Sequence, residues 1–225
     1  MSEPPQPPEV LEIRAANGRL RLLKLSDGRE LLFTDEACER CHVERGTVLT
    51  PELLAALDAV EQRVNAHDAA LRLLAHRARS ESEMRTRLKM RGFDPTTVDE
   101  EVERLRNAGL LNDAQFARAW VEDRKRSAPR GRRMLRYELL GRGIDPEEVD
   151  EATDGIDDLA TARQLAVVRG RRYAAEPYES FVAHVGDFLR RRGFDYEVIA
   201  TAVREAWAVF EEEREREAAA SQSPG

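Results

Sequence analysis

The chain has 225 residues, of which 35% are charged and only 6% aromatic, and it carries a net charge of −7. That balance excludes a single thick aromatic core and any general affinity for polyanions, and two cysteines exclude a disulfide framework. No run approaches the roughly 18 consecutive apolar residues needed to cross a bilayer, and "MSEPPQPPEV" has neither the basic flank nor the apolar centre of a secretory leader. The chain therefore reads as a cytoplasmic protein built from small modules.

In chain order, residues 1–9 form a proline-rich lead expected to lack structure. Residues 10–66 read as a small α+β module. "VLEIRAANGRLRLLKLSDGRELLF" places Asn17-Gly18 and Asp27-Gly28 between short apolar runs, a pattern that predicts two or three antiparallel strands joined by tight turns. A short helix follows over 34–42, and the cap-and-proline signal Thr50-Pro51-Glu52 opens a longer one to about Asn65. From residue 67 the pattern is helical throughout. Residues 67–111 hold predicted helices at about 68–77, 81–91 and 95–108, the second opened by the capping box Ser80-x-x-Glu83. Residues 112–156 hold helices at about 113–127, 130–141 and 146–153, and residues 157–213 at about 158–173, 177–192 and 196–213. A tail without structure is expected over 214–225.

These three groups share a signature. "RGFDP" at Arg91–Pro95 returns as "RGIDP" at Arg142–Pro146 and "RGFDY" at Arg192–Tyr196, so that Gly92, Gly143 and Gly193 stand 51 and 50 residues apart (143 − 92 and 193 − 143). A fixed interval of this size marks one supersecondary unit used three times. Eight and four positions before each glycine lie Met84 and Leu88, Leu135 and Leu139, Val185 and Leu189, on one helical face in each copy. Glycine suits the left-handed residue that ends a helix, and the aspartate two positions later suits the N-cap of the next. The fold class is mainly α: three tandem three-helix repeats forming an elongated array, preceded by the small α+β module.

Chemistry-bearing motifs are few. Cys38-Glu39-Arg40-Cys41-His42 spells the C-x-x-C-H pattern of haem attachment, but His67, His76 and His184 supply no matching second ligand, and the two cysteines read as core residues of a short helix. The acidic pairs Asp99/Glu100 and Glu147/Glu148 read as first-turn residues placed by the helix dipole. No phosphate-cradling glycine loop, nucleophile elbow or zinc-protease motif occurs. The chain reads as a non-enzyme without a cofactor.

Charge is the better functional signal. Between Arg118 and Arg142 nine basic residues face only Glu122, Asp123 and Glu138, whereas the stretch from Glu205 to Glu217 leans acidic. Arg124, Lys125, Arg126, Arg130, Arg132, Arg133 and Arg136 are the candidate binding residues, for a phosphate backbone or for a carboxylate-rich protein surface. Phe116, Trp120, Leu135, Tyr137 and Leu139 read as structural.

Three longer strings, "ALRLLAHRARSESEMRTRLKMRGFD", "VERLRNAGLLNDAQFARAWVEDR" and "RGRRMLRYELLGRGIDPEEVDEA", resemble the RecX family of bacterial regulatory proteins over roughly Ala70 to Trp207. Within "APRGRR" the order of proline, arginine and glycine departs from the family's usual glycine–proline–arginine run. The resemblance implies tandem three-helix repeats and a partner of the RecA recombinase, and the chain is expected to act as a monomer. Binding in the groove of the RecA–DNA filament would limit filament growth, ATP turnover and strand exchange, with single- or double-stranded DNA contacted through the second repeat. The resemblance makes Arg130, Gly131, Arg132 and Arg133 the leading contact residues. The alternative is a sequence-independent nucleic-acid-binding protein that acts without RecA.

Overall fold

The computed structural model describes residues 6–221, so the first five residues of the expected lead and the last four of the expected tail lie outside it. The chain divides into two compact units, Met1–Leu111 and Asn112–Gly225.

The first unit opens with a three-stranded antiparallel sheet, β1 (Val10–Ala15), β2 (Leu20–Leu25) and β3 (Glu30–Thr34), in the order β1-β2-β3. Gly18 and Gly28 turn the two hairpins with φ of 67° and 87°, a region closed to most side chains. Helix α1 (Asp35–Arg40) is capped by Thr34. Helix α2 (Pro51–His76) is capped by Thr50, whose side chain accepts from the Leu53 N–H. Val10, Leu23, Leu25, Phe33, Cys38 and Leu57 close a small core between the sheet and these helices. Helix α2 continues straight through the boundary expected at residue 66. Ala66, Ala69 and Ala70 are good helix formers, no glycine or proline interrupts them, and one continuous helix serves both the sheet module and the first repeat.

That repeat is completed by α3 (Glu81–Lys89) and α4 (Pro95–Asn107). Ser80 accepts from the Glu83 N–H at 3.1 Å and Asp94 from the Thr97 N–H at 3.0 Å, as the caps predicted. The acidic pair Asp99/Glu100 lies beyond the first turn of α4. Its carboxylates answer cations instead: Arg85 at 3.2 Å and Arg63 at 2.7 Å.

The second unit holds two three-helix groups. One comprises α5 (Asp113–Ser127), α6 (Arg132–Leu140) and α7 (Pro146–Thr153). The other comprises α8 (Asp158–Gly170), a 3-10 turn over Arg171–Tyr173, α9 (Tyr178–Arg191) and α10 (Tyr196–Ser221). Each group in the chain buries its own core, and the positions eight and four before each signature glycine are at most 1% exposed in all three. Gly92, Gly143 and Gly193 all adopt left-handed φ, and the residue after each donates its N–H to the same helix position: Phe93 to Leu88, Ile144 to Leu139, Phe194 to Leu189, at 3.3–3.4 Å. Helix α10 runs eight residues past the expected end at 213, so 214–221 is helix rather than tail. Arg214 anchors this extension by lying 4.6 Å over the Trp207 ring and donating to the Ala174 carbonyl at 2.9 Å.

The two groups of the second unit meet backbone to backbone. The Gly131 N–H donates to the Arg192 carbonyl at 2.9 Å, and Gly131 carries no side chain to cap α6. Asp158 supplies that cap from the next group, accepting from the Arg132 N–H at 2.9 Å. Burial, with Asp195 and Asp157 nearby, holds the Asp158 carboxyl above its ordinary range, while the Arg132 amide opposes the shift. A raised carboxyl binds its proton more tightly folded than unfolded, so its contribution favours folding as pH falls through the raised value and fades as pH rises through it. Asp158→Asn keeps an acceptor oxygen without the charge and is expected to be as stable as wild type or more so at pH 7, with the margin narrowing toward pH 4. Asp158→Ala loses the cap and should cost about 1 kcal/mol at pH 7. Urea denaturation at the two pH values decides; a more damaging Asn than Ala would contradict the cap.

Candidate interaction site

The basic run lies on α5, α6 and the link between them, and tertiary structure sorts its members into unlike roles. Glu138 on α6 is the centre of the first set. One of its oxygens accepts the Trp120 indole N–H at 2.9 Å and the Arg124 Nε–H at 3.0 Å, and the other meets Arg130 at 2.5 Å. The Arg124 and Arg142 guanidiniums lie over the Trp120 ring at 4.1 and 3.7 Å. Arg124 and Arg130 are thus spent inside the group, clamping α5 to α6 with a largely buried carboxylate.

The remaining five candidates point outward. Lys125 reaches Glu122 at 2.7 Å, a side-chain pair one turn apart on α5 that holds the Glu122 carboxyl below its usual range. Arg132 sits 3.9 Å from Asp154, Arg133 3.6 Å from Asp195, and Arg136 pairs with Asp150. Arg132 and Arg136 line a shallow groove with Asp150, Glu151 and Asp154. Arg126 is exposed. Exposed pairs of this kind exchange readily for a partner's anions, since solvent screens each of them. The structure brings no single bed of seven cations together. It leaves Arg126, Arg132 and Arg133 as the cations most available to a partner.

Tyr137, read from the sequence as structural, is 74% exposed on α6, one turn beyond Arg133. Phe116, Trp120, Leu135 and Leu139 do pack in the core of the group. Sequence reasoning also confined the basic face to residues 118–142 and passed over Arg169 and Arg192 in the last group. Arg192 carried a signal: it is the arginine of "RGFD", equivalent to Arg91 and Arg142.

In the first unit, Cys38 is buried and Cys41 half-buried, both packed on the small core as free thiols. Burial pushes the Cys38 thiol up, away from the thiolate a metal or haem edge would need. Among the described residues no group of three or more His, Cys, Asp or Glu side chains is gathered to hold a metal ion, and His67 instead bonds the buried Glu101 at 2.8 Å. No described helix is long and apolar enough to cross a membrane.

A three-stranded module that shares a helix with the first of several three-helix groups, each with its own core, defines a tandem three-helix-repeat protein. Residues 66–105 match the description "RecX, first three-helix domain", and residues 112–152 match "RecX, second three-helix domain". The chain is 30% identical over 184 residues to the regulatory protein RecX of Geobacillus kaustophilus, covering 80% of this chain and 68% of that one. It is 34% identical over 143 residues to the regulatory protein RecX of Chlorobaculum tepidum, covering 64% and 89%. Among solved structures, one titled "Crystal structure of regulatory protein RecX" superposes with a TM-score of 0.69 at 22% identity, over 87% of this chain and 98% of the other. RecX from Lactobacillus salivarius gives 0.60 at 22%, over 65% and 97%. The chain belongs to the RecX family, and its role is regulatory.

Proposed function

We propose that this protein regulates homologous recombination and the SOS response by binding in the groove of the RecA–DNA filament, where it limits filament growth, ATP turnover and strand exchange. The observation that carries this reading is the match of both RecX three-helix domains, in order, to a chain whose second group presents Arg126, Arg132 and Arg133 at its surface. A filament of protein and DNA offers both carboxylates and phosphates, and exposed guanidiniums can trade their weak internal pairs for either.

The test is the steady-state ATPase of RecA on single-stranded DNA with substoichiometric amounts of this protein. Wild type should lower the rate. Arg126/Arg132/Arg133→Ala should raise the half-inhibitory concentration roughly tenfold, as expected for losing about 1.4 kcal/mol of binding, without altering the melting curve. Arg130 is left intact because its loss would unseat Glu138. An unchanged ATPase with wild type, across salt concentrations and with a matched RecA, would sink the RecA reading and leave nucleic-acid binding without RecA as the next reading to test.

A further inference from the structure

The last three-helix group, which lies beyond both matched RecX domains, holds a cluster of arginines that no carboxylate answers. Arg192 lies 4.0 Å over the Phe188 ring and Arg169 lies 5.4 Å over the same ring. Arg169 gives one N–H to the Tyr173 hydroxyl at 3.0 Å, and its Nε is buried without a hydrogen-bond partner. Arg130, itself paired with Glu138, stands beside them at the joint between the groups, where the next residue, Gly131, donates to the Arg192 carbonyl. Among the described residues neither Arg169 nor Arg192 makes an ion pair. Burial pushes the Arg192 guanidinium down from its usual range, and the charges of Arg130, Arg169 and Arg191 push it further the same way.

The same arginine in the other copies reaches a backbone carbonyl: Arg91 donates to that of Ala69 at 3.3 Å and Arg142 to that of Glu138 at 3.5 Å. In the third copy the equivalent side chain, Arg192, lies over the Phe188 ring with the charges of Arg130, Arg169 and Arg191 around it. Both Arg169 and Arg192 sit at helix C-termini, but a helix end supplies only about half a negative charge. That does not offset two partly desolvated guanidiniums held against one ring, because burying charge without a counter-charge is expensive.

We propose that Arg169 and Arg192, flanked by Arg130 and floored by Phe188, form a phosphate-binding site in the third repeat. Two guanidiniums call for about two negative charges, which one dianionic phosphate or two neighbouring phosphodiesters supply and one carboxylate does not. Guanidinium forks also match phosphate oxygens in geometry. The inference does not rest on RecA, since phosphate and DNA alone are the probes.

The experiment measures binding of a fluorescein-labelled oligothymidylate by anisotropy, and of inorganic pyrophosphate by calorimetry, to the full chain and to Arg169→Gln/Arg192→Gln. Arg190→Gln/Arg204→Gln removes the same charge from exposed positions and serves as the control. The site predicts at least about a tenfold loss of affinity in the first variant, with the salt slope reduced by about two, and little change in the control. Loss of strand binding identifies the source as a nucleic-acid backbone; loss confined to pyrophosphate identifies a free phosphate. Should the glutamine variant melt early, Arg169→Lys/Arg192→Lys keeps the charge and removes only the forks, and the site still predicts weaker pyrophosphate binding. Equal losses in variant and control, or no binding of either probe to wild type, would overturn the proposal. Loss of RecA inhibition in the variant without binding of either probe would likewise overturn it, in favour of an acidic protein partner.

Discussion

Alanine at Gly193 is expected to cost about 3 kcal/mol or more, and alanine at Gly131 about 2, whereas alanine at Gly92 should cost only about 1. All three substitutions add the same methyl group, and the difference lies in what that methyl meets. At Gly92 nothing lies within 4 Å, so the penalty is the left-handed φ of 88° alone. At Gly193 the φ of 85° carries the same strain, and the added carbon would also stand 2.5 Å from the Cβ of Met134 and 2.7 Å from its amide nitrogen. At Gly131 the methyl would stand 2.6 Å from the Gly193 carbonyl oxygen, the peptide group beside the one its own N–H bonds. Backbone atoms cannot swing aside like the end of a flexible side chain, so relief requires the second and third helix groups to part. Urea denaturation should then show Gly193→Ala unfolding at much lower midpoint, with a second transition if the groups separate before they melt. A Gly193 variant no weaker than the Gly92 variant would mean that this joint contributes nothing to stability.

The contrast between those glycines also shows where sequence reasoning stopped. The signature "RGFD" fixed the local event correctly in each copy, because a C-terminal glycine, a folded-back apolar residue and an N-cap aspartate act within six residues of each other. The apolar pairs Met84/Leu88, Leu135/Leu139 and Val185/Leu189 were legible for the same reason, and the strands around Gly18 and Gly28 likewise. What a residue meets from another group was not legible: Gly193 read as a helix-end glycine like Gly92 and Gly143, and Gly131 as a contact candidate, until the joint places the two together. The merging of two expected helices into α2 turned on the lack of a break between Asn65 and His67, a weak signal against two separate module patterns. The helical run through 214–221 defeated a reading by charge, since Glu and Arg at helical spacing, such as Glu212 and Arg216 at 3.1 Å, form a solvated helix as readily as they fill a disordered tail. The basic run misled most. Seven cations close in sequence looked like one surface, yet helix periodicity turned Arg124 inward to Glu138, the loop carried Arg130 to the same carboxylate, and Arg133 was left outside beside Tyr137.

Glu138 is where that sorting can be tested with the largest effect on a charged residue. Its side chain is only 13% exposed and receives an indole N–H and two guanidiniums. Glu138→Ala leaves those three donors without their acceptor in a site that water reaches poorly, and the expected loss is about 3 kcal/mol, the range for breaking one side of a buried pair. Glu138→Gln keeps the shape and one carbonyl oxygen and should lose about half as much. Adding Arg124→Met and Arg130→Met to the alanine variant should recover part of the loss, because the penalty comes largely from the stranded cations, and a double-mutant cycle reads that coupling directly. Binding should move in the opposite direction to stability. Freed from Glu138, Arg124 and Arg130 become available to phosphate, so the folded alanine variant should bind single-stranded DNA more tightly than wild type and with a steeper dependence on salt. If Glu138→Ala costs no more than the half kilocalorie or so typical of a surface change, or if it weakens DNA binding, then Arg124 and Arg130 are not held inward by this carboxylate and belong with the exposed cations after all.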